Sequence, residues 1–306
     1  MAGAYGAACR ARSLCGAFYD ALSGAPEPAA FHSRFEHAVN LSTRHGLFTV
    51  LRAKELFPHS ATIDGTCELF GGAYDTNASF TVCRSGIALR GNPLVSFAEA
   101  NHTDLRAMQV MEGAATSAFD AAALSIRNFL AEERAQEGLS ALANEAEPLG
   151  ASPYAAFLKP RLEAFRGAAR AFDGDSAVYA AKRCAGLGIG LTPSSDDLLC
   201  GYFAVQNAAF PAPWVAEAAR AAAESTSYLS AAFLRRAGLG LVSEATLKLF
   251  KVVARGGVPE KTLLSTIANY GASSGRDYLT GLYFGFSDIA LRRKKGRERL
   301  ASNGTA

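Results

Sequence analysis

The hydrophobic period of this chain changes once, near Asn101. Before that point, short apolar runs alternate with turn residues, as in "GLFTVL" (46–51), "SATID" (60–64), "CELF" (67–70), "SFTVC" (79–83) and "IALRG" (87–91). These read as strands, with Arg84-Ser85-Gly86 as a hairpin turn. After it, "ATSAFDAAALSIRNFLAEERA" (115–135) places Phe119, Ala122, Ala123, Ile126 and Leu130 on one helical face. The pattern therefore predicts an α+β chain, with a β-rich N-terminal domain followed by a mainly helical C-terminal one. The expected boundaries are an extension over 1–30, a β-rich domain over 31–112, a helical domain over 113–291 and a basic tail over 292–306. Helices are expected over 153–171, 175–185, 193–209, 213–236, 242–255, 259–270 and 274–291, with Pro160 kinking or dividing the first.

Composition narrows the function. Apolar residues make up 49% of the 306 positions and charged ones 19%, which fits a folded chain. The net charge of +3 and the lack of a basic stripe argue against nucleic acid. The run Arg292, Arg293, Lys294, Lys295, Arg297, Arg299 reads as a solvated tail. No apolar run approaches the ~20 residues of a membrane span, so a soluble cytoplasmic protein is expected. The six cysteines form no C-x-x-C pair and read as buried thiols. All five histidines lie at or before His102, which excludes a catalytic triad in the C-terminal part.

Chemistry gathers in "GLGIGLTPSSDDLLCG" (186–201). Gly186, Gly188 and Gly190 allow close backbone approach, and Pro193 suits a first helical turn with Thr192 as N-cap. In an alternative register, Ser194 and Asp197 form a capping box. Helix-start N–H groups can bind an anion. Asp196 and Asp197 would repel a bare phosphate, so the pattern suits a ligand with an anionic and an amide end, or an anion carried by Mg²⁺. A merely well-capped helix start is the plain alternative. A second copy recurs eighty residues later: Ser194-x-x-Asp197-x-Leu199-x-Gly201 matches Ser274-x-x-Asp277-x-Leu279-x-Gly281. The two starts are expected to meet around one polar pocket. Thr226 and Ser230, four apart on one expected helix with Ser227 beside them, could line it, or could bond back to the backbone. Arg276 could grip an anion there, with Ser273 and Gly275 beside it.

These residues carry a resemblance. "GLGIGLTPSSDDLLCG" is similar to the G-x-G-x-T-P-S-G-D-D motif of the oxamate carbamoyltransferase subunit AllH family. "STSYLSAAFLRRAGLG", "GASSGRDYLTGLYFGF" and "FHSRFEHAVNLSTRHGLFTVL" resemble further segments of it, so the likeness runs from about 31 to 286. Ser195 stands where the family usually has glycine, and Ala272 where many members have histidine. The resemblance implies a subunit of an enzyme that exchanges oxalurate and phosphate for oxamate and carbamoyl phosphate in anaerobic allantoin breakdown. It implies FdrA-like and AllG-like partner subunits. On that reading Asp196, Asp197, Asp277 and Ser274 are the catalytic candidates. Gly188, Gly190, Thr192, Ser194, Ser195, Thr226, Ser230, Ser273, Gly275 and Arg276 are the substrate-binding ones. The one cofactor considered is Mg²⁺, with Asp196 and Asp197 as its ligands. The alternatives are a non-catalytic ligand-binding or assembly subunit and a Mg-dependent enzyme acting on a phosphate ligand.

Overall fold

A computed structural model describes residues 8–72, 74, 78–132, 138–143 and 153–303. The chain is α+β and divides into two compact units, Met1–Leu105 and Arg106–Ala306.

The first unit is a barrel-like sheet. Its strands are β1 (Cys9–Cys15), β2 (Glu27–Arg34), β3 (Ala38–Thr43), β4 (Gly46–Leu51), β5 (Ser60–Ile63), β6 (Phe80–Cys83), β7 (Gly86–Leu89), β8 (Asn92–Ser96) and β9 (Asn101–Thr103). The order is β5-β4-β3-β2-β6-β7-β8-β1-β9, and pairing of β1 with β5 closes eight strands on themselves. Closure removes the exposed edges that an open sheet would present. Phe18, Phe48, Phe80 and Phe97 fill the interior. Phe18 comes from the short helix α1 (Gly16–Ala21). The Arg84-Ser85 turn forms as expected, with Cys83 opposite Gly86. A Cβ at Gly86 would run into the Val95 carbonyl, so only glycine fits.

Four expectations change in this unit. The barrel begins at Cys9, inside the segment expected as an extension, because β1 supplies the closing pairs. The unit ends at Leu105, ahead of the expected 112. "CELF" is not a strand. It turns into α2 (Glu68–Gly71), which buries Leu69 and Phe70. Cys9 and Cys67 form a disulfide with Cα atoms 5.7 Å apart, while Cys15, Cys83, Cys184 and Cys200 are buried free thiols. The 58-residue separation of that pair gave no local signal.

The second unit is helical. It comprises α3 (Thr116–Glu132), a 3-10 turn (Ser140–Ala143), α4 (Pro153–Ala171), α5 (Gly174–Cys184), α6 (Ser194–Ala209), α7 (Pro213–Ala223), α8 (Tyr228–Gly238), α9 (Glu244–Ala254), α10 (Lys261–Ala268) and α11 (Ser274–Asn303). In α6 every residue except Asp197 is buried, as befits a helix apolar on all sides. It lies between two cores. Ala204, Val205 and Ala208 face Phe250 and Phe286, while Leu198, Tyr202 and Phe203 face Phe165 and Trp214.

Three expectations change here as well. Of the two outcomes expected at Pro160, division does not occur, since α4 runs unbroken through it. The segment 213–236 is two helices: α7 ends at Ala223 with Glu224 as its C-cap, and Ser227 caps α8 by accepting from Ser230 N at 3.2 Å. The basic run is no solvated tail at its start. Arg292 lies against Phe172 and Phe210 and donates to Gln206 Oε1 at 2.5 Å, and Arg293 lies over Phe119. Long guanidinium stems cover apolar surface while their heads find acceptors.

Candidate functional site

The two copies of S-x-x-D-x-L-x-G do meet. α6 and α11 cross with backbone against backbone. A Cβ at Gly201 would overlap the Tyr278 carbonyl oxygen, and one at Gly281 would overlap the Leu198 carbonyl oxygen. The contact is reciprocal, since each glycine rests on the residue that follows the other copy's aspartate. Glycine is needed at both because any side chain would separate the helices. This crossing holds Asp197 and Asp277 close enough for the charge of Asp277 to act on Asp197.

The loop ahead of α6 is tied down from several sides. Gly186, Gly188 and Gly190 have φ of 77°, 129° and 103°, in the region that disfavours side chains. Leu187 donates to Ser195 Oγ at 2.9 Å, and Ser195 N donates to the Leu187 carbonyl at 3.0 Å. The extra hydroxyl at Ser195 is thus fully buried and fastens the loop. Asp196 accepts from Gly186 N at 2.8 Å and from the Thr226 hydroxyl. Ser227 Oγ donates to the Leu191 carbonyl at 2.9 Å. Thr192 does not cap α6. Pro193 occupies the N-cap with no side-chain bond, and the Thr192 hydroxyl meets Ser274 Oγ at 3.0 Å. That bond bridges the two copies.

The three aspartates differ in what remains free. Asp196 is 1% exposed and both its oxygens hold protein donors. Burial raises its pKa, while Thr226, Gly186, Ser230 and Ser195 oppose the rise. Asp277 is fully buried, and its Oδ1 accepts from Leu139 N at 2.6 Å. Its pKa is pushed up to about 6 by burial, against the pull of Leu139 N–H, Ser194, Ser273 and Arg276. Asp197 is pushed highest, to about 8. Burial is the main cause, the charges of Asp277 and Asp196 add to it, and the hydroxyls of Ser274 and Thr192 resist it. Among the described residues its Oδ2, like that of Asp277, has no hydrogen-bond partner. At neutral pH it is therefore a protonated carboxyl with one oxygen to spare.

The helix-start N–H groups are largely used within the protein. Asp196 N and Asp197 N point to the Pro193 carbonyl at 2.9 and 3.4 Å, and Gly275 N to Tyr270 O at 2.9 Å. A side chain at Gly275 would strike the Ile267 and Ala268 carbonyls, so this glycine serves packing on α10. Arg276 is half-buried, and its Nη1 donates to the Ala272 carbonyl at 3.3 Å. Thr226 lies in the link between α7 and α8 rather than on a helix, and Ser230 is buried beside Asp196. Among the described residues no group of three or more His, Cys, Asp or Glu could hold a metal ion. With both oxygens of Asp196 occupied, the residues do not fit the octahedral, oxygen-rich shell of Mg²⁺.

One contributor escaped sequence reading. Gly138, with φ of 72°, lies so close to Asp277 that a Cβ would collide with its carboxylate, and this lets Leu139 N reach Oδ1. "EGLS" signals a turn, but nothing in it names a partner 138 residues away. Among the described residues no helix is long and apolar enough to cross a membrane.

No curated protein and no solved structure matches the chain. Residues 184–286, about a third of the chain and including both helix starts, match the family model described as "Oxamate carbamoyltransferase subunit AllH", the family this chain is similar to.

Proposed function

We propose that this chain is a subunit of a cytoplasmic carbamoyltransferase that exchanges oxalurate and phosphate for oxamate and carbamoyl phosphate in allantoin breakdown. FdrA-like and AllG-like chains would be its partners. The observation that carries this reading is Asp197, a neutral carboxyl with an unpartnered oxygen where two matching helix starts meet. In the forward direction a phosphate oxygen attacks the ureido carbonyl, the carbon–nitrogen bond to the oxamate nitrogen breaks, and that nitrogen needs a proton. Asp197 supplies it, and in reverse its carboxylate takes it back. The Thr192–Ser274 hydroxyl pair lies beside Asp197 and orients the carbamoyl group. Arg276 meets the oxamate carboxylate. Asp196 and Asp277 are positioning residues that fix the loop and the Leu139 turn.

The test is co-expression with the two partner chains and an assay of phosphate-dependent oxalurate cleavage. Asp197→Asn should abolish turnover and Ser274→Ala should weaken it. Forward activity should fall as pH rises through about 8, because ionised Asp197 has no proton to give. Full activity in both variants removes the site. A second reading, a ligand-binding or assembly subunit without chemistry, is favoured by the internal use of the helix-start N–H groups and by Ala272 in place of histidine. It predicts complex formation and ligand binding with turnover untouched by Asp197→Asn.

A further inference from the structure

Away from the aspartates, a cleft of about 460 Å³ runs between α4 and α5. Phe172 and Asp173 alone join these helices, which makes them antiparallel neighbours. Pro160, Arg161 and Ala164 form one wall, and Ser176, Tyr179 and Arg183 the other. The α5 positions are three, four and seven apart, one helix face over about two turns or ~10 Å, and the α4 positions add about one turn, ~6 Å, opposite. No acidic residue lines it.

The two walls carry the same device. The Arg161 guanidinium lies 3.7 Å over the Phe157 ring and donates to the Phe157 carbonyl at 2.7 Å. The Arg183 guanidinium lies 5.5 Å from the Tyr179 ring and donates to its hydroxyl at 3.0 Å. Each pair is four residues apart, so the ring props the cation in place. Among the described residues neither cation meets a carboxylate. The props are themselves exposed, Phe157 by 52% and Tyr179 by 64%. Aromatic and arginine side chains at a desolvating groove are the groups that carry most binding energy in protein interfaces.

We propose that this cleft seats a helix of another subunit, with an apolar stripe for the floor and carboxylates on its flanks for Arg161 and Arg183. The groove between two neighbouring helices accepts a third by ridge-in-groove packing. Two cations that meet no carboxylate among the described residues select an acidic partner and would repel a basic one. A small ligand would need several convergent polar groups, and Ser176 adds only one hydroxyl to the two cations and a phenol already bonded to Arg183. The inference requires an assembly but not that Asp197 does chemistry, so the two can fail separately.

Fluorescence anisotropy on the full chain tests it, with a labelled helical peptide of about 14 residues bearing a leucine stripe and glutamate flanks. A lysine-flanked peptide is the counter-probe. Saturable binding of the first peptide alone is expected, at least about 10-fold weaker in Arg161→Glu/Arg183→Glu and in Tyr179→Ala, and unchanged in Lys251→Glu/Arg255→Glu. Circular dichroism of each variant confirms folding. Absence of saturable binding, equal loss in the control pair, or equal binding of the lysine peptide overturns the proposal. Displacement of the peptide by millimolar inorganic phosphate would also overturn it, by making the cleft a simple anion site.

Discussion

The starts of α6 and α11 spell the same pattern yet do different work. Both aspartates lie beside hydroxyls of the opposite copy, Asp277 buried and Asp197 half-buried, and both glycines seat a helix backbone. The difference lies upstream. Each aspartate keeps an Oδ2 without a partner among the described residues, but the Gly138–Leu139 turn fastens Oδ1 of Asp277, whereas a glycine loop precedes Asp197 and leaves it half-buried. A repeated motif fixes where a side chain sits. Its non-repeated neighbours decide how firmly that side chain is held and how deeply it is buried.

The harshest way to break the symmetry is at the crossing. Gly281→Ala drives a methyl into the Leu198 carbonyl and should cost about 3 kcal/mol or more, read as a lower urea midpoint. Gly296→Ala in the same helix has open space and should be neutral or stabilising. Next is the inequality of the aspartates. Asp197→Asn should lower kcat of the assembled enzyme by about 100-fold or more. Asp277→Asn, which can still accept from Leu139, should lower it far less.

The same pair has a pH signature. The folded-state pKa of Asp197 lies above its unfolded value, so ionisation opposes folding. Below pH ~4 wild type and Asp197→Asn should be equally stable, both side chains being neutral. The variant's advantage should grow as pH rises towards about 8 and level off beyond it. Chemical denaturation at several pH values checks this. A flat difference would mean that folding does not raise the pKa of Asp197.

A smaller effect concerns the loop. Asp196→Asn keeps one acceptor oxygen and puts a donor where Gly186 N–H or the Thr226 hydroxyl pointed, a loss of about 1–2 kcal/mol. Hydrogen exchange should show it first at Gly186 and Leu187.

The period change near Asn101 was enough to read the α+β division, because burial of one face imposes its spacing wherever it occurs. The meeting of Asp197 with Asp277 was also legible, since glycine four residues after each aspartate signals close helix packing. Thr192 was misread because its hydroxyl found a partner in Ser274, a contact that only the crossing creates. The break at Ser227 was missed because "ESTSYLSAAF" keeps a helical period through its cap. The Cys9–Cys67 bond and the Leu139 contact depend on segments far apart in the chain, and local spacing carries no trace of them.

Where Gly201 and Gly281 bring two main chains into direct touch, no side chain stands between them to absorb movement. The crossing is a fulcrum. If a guest tilts the start of α6, the start of α11 must follow, and the turn hung on Asp277 travels with it.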